Sequence, residues 1–305
     1  MIVAQPKQLY LPGILVIGAF HLVAGVALWY AFSYGYTLIN WLLVPSLITL
    51  SGLGMTMGYH RLWTHRSFKC NTALRYVLAI CGAAFGLQGP IRNWVPTHWA
   101  HHDFADKLGD PHSPREYINR FLGTLWAHMG WMFFTYQLPD KYKNPVNLER
   151  DPVVRWQSRW HAVIVLCGFL AIFLIAGWEG ILLAGFFRAV VGWHIIWSVN
   201  SLCHVWGTRA KDDEGRVYIG DDSRNNLLVA FLSFGEGYHA NHHKYPSFAY
   251  HGWRTWDWDP TKWVIMLCEF LGLVWDVKKP PKVIRFTERE GLVLPPPQAL
   301  STPSA

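Results

Sequence analysis

Two long apolar runs open the chain. From about Leu11 to Phe32 polar positions are nearly absent, broken mainly by Pro12, His21 and glycines, and the run is long enough to cross a bilayer as a helix. After the uncharged turn Ser33-Tyr34-Gly35-Tyr36, a second run extends from about Thr37 to Gly58 and stops directly before Tyr59-His60. The same arrangement returns downstream, where runs at 161–178 and 180–199 are joined by Gly177-Trp178-Glu179-Gly180. The pattern predicts four spans, 11–32, 37–58, 161–178 and 180–199, paired as two hairpins. Between them, Leu74 to Leu87 is apolar but too short to span comfortably, and reads as a re-entrant or buried helix. Ile118 to Leu138 is amphipathic and aromatic, the composition of a helix lying at an interface. Asp140 to Arg159 reads as a polar connector, Trp253 to Trp275 as an aromatic segment, and the Pro-rich tail 294–305 as disordered. The expected class is all-α and integral to the membrane, a single domain over 1–305 with its non-spanning parts, 59–160 and 200–285, on one side.

Charge fixes which side. Neither hairpin link carries Lys or Arg, so the basic residues outside the spans all lie on the opposite surface, which the positive-inside rule makes cytoplasmic. Both termini fall there too. Arg188 lies within the fourth span, where a charge marks a structural pairing or a pathway. Composition agrees: 51% of residues are hydrophobic, 18 are Trp, and only 15% are charged, which excludes an ordinary soluble enzyme. The net charge of +7 comes without a basic stripe or a nucleic-acid motif, so attraction to anionic headgroups explains it and nucleic acid does not. The five cysteines are dispersed and never spaced C-x-x-C, which fits a reducing compartment rather than a disulfide framework or a zinc ribbon. The long first run lacks the flanks of a cleavable signal peptide.

The candidate chemistry is histidine. His98-Trp99-Ala100-His101-His102 puts three imidazoles in five residues; on a helix, i,i+3 and i,i+4 steps bring them to one face, within reach of a shared metal centre. The spelling repeats as His239-Ala240-Asn241-His242-His243, and a looser form, His60 to His65, follows the second span. Eight of the chain's 15 histidines sit in these boxes. Burying so many imidazoles without a common partner would strand polar nitrogens. His21, His128, His161 and His194 stand alone on apolar stretches and read as ordinary hydrogen-bonded core residues. Where the fourth span ends, Asn200 and His204 are i,i+4 neighbours at the depth of the first box, adding a ninth imidazole and an amide; taken alone they equally suit an interhelical hydrogen bond.

Nine imidazoles exceed one tetrahedral zinc, and two metals sharing them fit the count. Iron is a sensible oxygen-activating choice, with copper and zinc also open. Only one Glu-x-x-His spelling, Glu236 to His239, is present, so the carboxylate-rich soluble di-iron architecture is disfavoured.

These residues resemble a known family. Gly58-Tyr59-His60-Arg61-Leu62-Trp63-Thr64-His65-Arg66-Ser67-Phe68, the second box with Asp110-Pro111-His112-Ser113 behind it, Asn200 to His204, and Gly235-Glu236-Gly237-Tyr238-His239 into the third box are similar to the membrane fatty-acid desaturases, in particular the Δ9 group, over roughly residues 15 to 278. The resemblance implies four spans under a cytosolic helical cap holding a di-iron site. It implies iron ligands at His60, His65, His98, His101, His102, His204, His239, His242 and His243, with Asn200 acting through water. It further implies an acyl tunnel with Trp94, Trp131 and Trp197 as substrate-contacting residues, and a reaction taking O2 and two electrons from a separate ferredoxin or cytochrome b5. Acyl-CoA enzymes of animals carry Arg-Asp where this chain has Pro96-Thr97, and Arg-Lys where it has Thr135-Tyr136. Gly89-Pro90-Ile91 and Asp222-Ser223-Arg224-Asn225-Asn226 look bacterial, which favours an acyl-lipid over an acyl-CoA substrate. A hydroxylase on the same scaffold, a metal-transporting membrane protein and a structural zinc cap are the rival readings; transport would string ionisable residues along the spans, and the boxes instead cluster at one surface.

Overall fold

The computed structural model describes residues 8–136, 138–143 and 145–287, and the backbone of Val293 and Leu294. The chain is mostly helical. Helix α1 (Leu11–Ser33) starts with Pro12 in its first turn, contains no charge, and turns Leu15, Leu22, Trp29 and Phe32 outward. At 1.5 Å per residue its 23 residues reach about 35 Å, the thickness of a hydrocarbon core with some tilt. Helix α2 (Leu38–Leu53) continues without interruption into wider, π-wound turns over Gly54–Thr64. Helix α3 (Thr72–Cys81), capped by the Asn71 side chain, winds down through π turns at Gly82–Gly86, and α4 (Ile91–Phe104) leaves it at 84°. Gly54 and Gly82 let these two segments touch: a Cβ on Gly54 would lie 2.2 Å from the Gly82 nitrogen.

Helix α5 (Arg120–His128) is shorter than the expected 118–138, because the chain leaves the helix at Met129 and makes only a 3₁₀ turn at Gly130–Phe133. Short helices α6 (Asp140–Lys143) and α7 (Val146–Arg150) follow. The polar connector expected to run to Arg159 ends earlier. Asp151 accepts hydrogen bonds from the N–H groups of Val153 and Val154, Pro152 takes the first helical position, and α8 (Pro152–Gly180) begins there. Near its end Gly177 adopts φ 63°, ψ −161°, a conformation only glycine takes readily, and the chain doubles back. The returning π turns Ile181–Phe187 and helix α9 (Arg188–Val205) pack along α8, where Gly180 meets Ile172 and Gly185 meets Phe169. The two helical arms, Pro152–Gly180 and Ile181–Val205, are thus each longer than the expected 161–178 and 180–199. Leu11–Ser33, Leu38–Thr64 and Pro152–Val205 are the helical stretches long and apolar enough to cross a membrane among the described residues, with the bent pair Thr72–Gly86 and Ile91–Phe104 a further candidate.

The two hairpin turns, neither with Lys or Arg, lie together. Glu179 accepts hydrogen bonds from Tyr30 at 2.8 Å and Asn40 at 3.3 Å. Arg188 is a structural pairing: its buried guanidinium donates to the carbonyls of Ala184, Gly185 and Phe85, all within π-wound turns. The rest of the chain adds α10 (Leu227–Leu232), α11 (His239–Lys244) and α12 (Pro260–Phe270). The all-α expectation needs one correction. Two small antiparallel ribbons are present, β1 (Lys69–Cys70) with β3 (Val274–Trp275), and β2 (Val217–Tyr218) with β4 (Val293–Leu294). Beyond Leu294, the tail expected to be disordered lies outside the described residues. The main core joins the π-wound end of α2, through Met55, Met57 and Tyr59, to Ile91 and Val95 of α4 and Ile265 of α12.

Candidate metal centre

His60 and His65 owe their meeting to the π turns. In an α-helix five residues turn about 500°, leaving the two rings about 140° apart. The i→i+5 winding, closed by His65 N–H donating to His60 C=O at 3.1 Å, is wider per turn and stacks them, with ring centroids 4.8 Å apart. Arg66 then adopts φ 49° and turns the chain away. The next residue inward, Arg61, is fully buried and donates to Glu236 at 3.0 Å, Asp259 at 2.9 Å and the Ala249 carbonyl at 2.7 Å. It ties the first box to the segment entering the third.

All nine boxed or paired histidines converge, in two groups whose ligand-type atoms lie within 4.8 Å of one another. One holds His60, His65, His98, His102 and His242; the other holds His101, His204, His239 and His243. Each H-x-x-H-H box is divided between them. The i,i+4 pair of α4, His98 and His102, joins the first group and His101 crosses to the second; in α11 the i,i+4 pair His239 and His243 joins the second and His242 crosses to the first. This refines the expectation that each box serves one shared face. Within the groups the Nε2 atoms face one another: His60 to His242 at 3.0 Å, His242 to His102 at 2.9 Å, His98 to His102 at 3.0 Å, His101 to His243 at 3.2 Å, and His204 to His239 at 3.0 Å.

Nδ1 atoms on the outer side meet carboxylates. His101 pairs with Asp110 at 3.0 Å, His204 with Asp106 at 2.9 Å, His243 with Asp221 at 2.8 Å, and His60 with Glu236. An Nδ1–H donated outward fixes the tautomer and leaves Nε2 bare, the arrangement that orients metal-ligating imidazoles. Burial alone would raise the carboxyls of Asp106, Asp110 and Asp221; the facing imidazoles outweigh it and hold all three below the usual carboxylate range. For His65, His239 and His242, burial first and neighbouring imidazoles second push protonation far below the ordinary histidine range. These three imidazoles are therefore neutral, the form that binds a metal. His65 Nε2 is buried without a hydrogen-bond partner, as expected of a donor atom waiting for an ion. The donor set fits two nitrogen-liganded transition metals.

Asn200 is in neither group. It lines a narrow pocket with His60, His98, His239, Trp94 and Met55, facing both. That pocket shares Trp94, His98, Ile196 and Asn200 with a cavity of about 640 Å³, whose walls include Trp131, Trp197 and Tyr136. In the other direction Met55 and Ile196 connect it to an apolar pocket at Phe85, Ala189 and Gly192. The three suspected tryptophans thus share one cavity.

The lone histidines have ordinary partners. His21, His194 and His128 bond in series, at 3.0 and 2.8 Å, ending on Ser201 at 2.9 Å, and His161 meets Gln157 at 2.9 Å. Sequence reasoning missed the carboxylate partners as a set. The signal was present in the Asp106 and Asp110 pair directly behind the second box. It also missed two buried imidazoles packed on the groups, His112 at 4.3 Å from His101 and His251 at 4.4 Å from His242.

The chain is similar in sequence to known proteins. Residues 39–258 match the family model described as fatty acid desaturase. The chain is 38% identical over 248 residues to the palmitoyl-monogalactosyldiacylglycerol delta-7 desaturase, chloroplastic, of Arabidopsis thaliana, covering 79% of this chain and 63% of that one. It is 37% identical over 230 residues to the sn-1 stearoyl-lipid 9-desaturase of Anabaena variabilis, with 74% and 79% covered. With the acyl-CoA C20 Delta5-desaturase of Anemone leveillei it shares 36% identity over 233 residues, with 75% and 70% covered.

Proposed function

The chain belongs to the fatty acid desaturase family, and from that premise we propose that it inserts a cis double bond, at the Δ9 position, into a saturated acyl chain carried on a membrane lipid. The observation that carries the reading is the division of nine histidines into groups of five and four beside a tryptophan-lined cavity. His60, His65, His98, His102 and His242 would hold one iron, and His101, His204, His239 and His243 the other, with Asn200 acting through water. Bound there, two irons would supply the activation of dioxygen that removal of hydrogen from unactivated carbon requires. Overall, two C–H bonds break and one C=C bond forms. The two substrate hydrogens, two external electrons and two protons reduce O2 to two waters. A separate ferredoxin or cytochrome b5 is the electron source in this reading.

The protein's own contribution is position. Trp94, Trp131 and Trp197 present apolar faces that fit an alkyl chain, and the pocket beyond Met55 and Ile196 receives its far end. No Lys or Arg is among the described residues lining the large cavity; Gln88, Asn93, Thr97, Thr135 and Tyr136 supply neutral polar groups instead. That lining suits an uncharged lipid headgroup better than the phosphates of CoA. Four spans in two hairpins, with the metal centre and both termini on the cytoplasmic side, complete this reading; the reversal at Gly177 and hairpin turns without Lys or Arg support it.

The test is a fatty-acid profile of cells lacking their own desaturase that express this chain or its His101→Ala variant together with ferredoxin. A new monounsaturated acid with its bond at carbon 9, absent from the variant culture, is the expected result. A hydroxylated acid would replace desaturation with oxygen insertion, and a product confined to the acyl-CoA pool would overturn the lipid assignment.

A further inference from the structure

A second large cavity has no place in the reading above. It measures about 720 Å³ and shares no lining residue with the acyl cavity. Its walls come from the exit of the first box, Leu62 to Cys70, from the β1–β3 ribbon with Trp275, and from Asp151 ahead of α8. Four cations, Arg66, Lys69, Arg75 and Lys278, and two carboxylates, Asp151 and Asp276, line it. Arg75 pairs with Asp151, and Lys69 with Asp276 at 2.9 Å. Arg66 and Lys278 are exposed and have no carboxylate partner among the described residues, so the cleft presents a net positive face. Trp63 lines it too, with its indole N–H buried and unpartnered.

Its location is the second observation. Arg66 follows His65 directly, so one peptide separates the cleft wall from an imidazole of the five-histidine group. Lys278 is clamped to the same exit. Its N–H donates to the Ser67 carbonyl and its own carbonyl accepts from Ala249, each at 2.8 Å. The cleft thus approaches the metal centre through the first box, while the acyl cavity approaches it past His98 and Asn200. A reductant must reach the centre while the acyl cavity is filled, and only a separate face allows that.

We propose that this cleft is the docking surface for a small acidic one-electron carrier protein, with Arg66 and Lys278 meeting its carboxylates and the His65–Arg66 segment giving the shortest covalent route inward. The proposal rests on the desaturase reading for the need of a reductant and goes beyond it in naming the surface and the charge of the partner. Each docking event passes one electron from the reduced carrier to the centre, so two events supply one turnover. Complementary charge speeds and strengthens the encounter and makes it salt-sensitive.

The test uses the full iron-loaded chain in detergent without acyl substrate, and an acidic [2Fe–2S] ferredoxin as probe. Binding is followed by calorimetry and reduction of the metal centre by stopped-flow absorbance. For Arg66→Glu/Lys278→Glu, the ferredoxin dissociation constant is expected to rise at least ~10-fold and to lose its salt dependence. Reduction by dithionite and iron content stay as in the parent protein, as does ferredoxin binding by Lys211→Glu, an exposed position outside the cleft. Unchanged ferredoxin affinity in the double variant, or no ferredoxin binding by the parent chain, overturns the proposal. So does loss of binding to phosphatidylglycerol vesicles with ferredoxin binding intact, which assigns the cleft to lipid headgroups. Because no step of this test needs product, a chain that docks ferredoxin but forms no double bond would refute the desaturase reading alone.

Discussion

The two histidine groups draw on the same two helices, α4 and α11, yet they are held in different ways. In the four-histidine group three of four imidazoles are fixed from behind by Asp106, Asp110 and Asp221. In the five-histidine group only His60 has a carboxylate among the described residues, and Glu236 is shared with Arg61. One group is oriented by its outer partners; the other has an extra imidazole and leans on a single buried ion network. The difference suggests that ligand number and ligand orientation substitute for one another in building an imidazole site.

The comparison breaks most severely at Arg61. Replacing it by Met leaves Glu236 and Asp259 buried without their cation, which should cost about 3–5 kcal/mol of stability and should loosen the five-histidine group before the other. A thermal melt with metal analysis checks this, and an unshifted melt would remove the network from the account. Removing one imidazole is next. His101→Ala reduces its group to three, and is expected to lose about one iron per chain and roughly 100-fold or more in product; His65→Ala leaves four and should retain both irons. Equal metal loss in the two variants would erase the asymmetry. Smaller still is Asp110→Asn, which keeps the volume and removes the charge behind His101. A fall of about 10–100-fold in metal affinity is expected by chelator competition, with the metal of the five-histidine group unaffected.

The gentlest probe is pH on the metal-free protein. Asp106, Asp110 and Asp221 are held low, so their contribution is full above the unfolded carboxylate pKa of about 4 and is lost as pH falls toward their folded values. His239 and His242 are also held low, so the unfolded chain takes up protons the folded one refuses once pH drops below about 6.5. Both act in the same direction. The melting temperature should fall from about pH 6.5 to pH 4, and a profile flat over that interval would contradict the protonation states assigned to these five groups.

Much of this was legible in the chain because its carriers are local. Apolar runs near 20 residues, two repeated H-x-x-H-H boxes and links without Lys or Arg are periodic or compositional features, and they pointed to the helices, the histidines and the hairpin turns. Element ends were less legible, since a cap such as Asp151 or the turn at Met129 acts through one or two residues. What only the tertiary structure decided is the division of labour. Which imidazole of each box crosses to the other group depends on how α4 and α11 are set against each other. That His60 and His65 meet depends on π turns that no α-helical spacing predicts. The carboxylates behind the imidazoles come from loops 9 to 176 residues away in sequence, brought close by the fold alone. Residue types set the chemistry available; the packing of distant segments set which atoms share it.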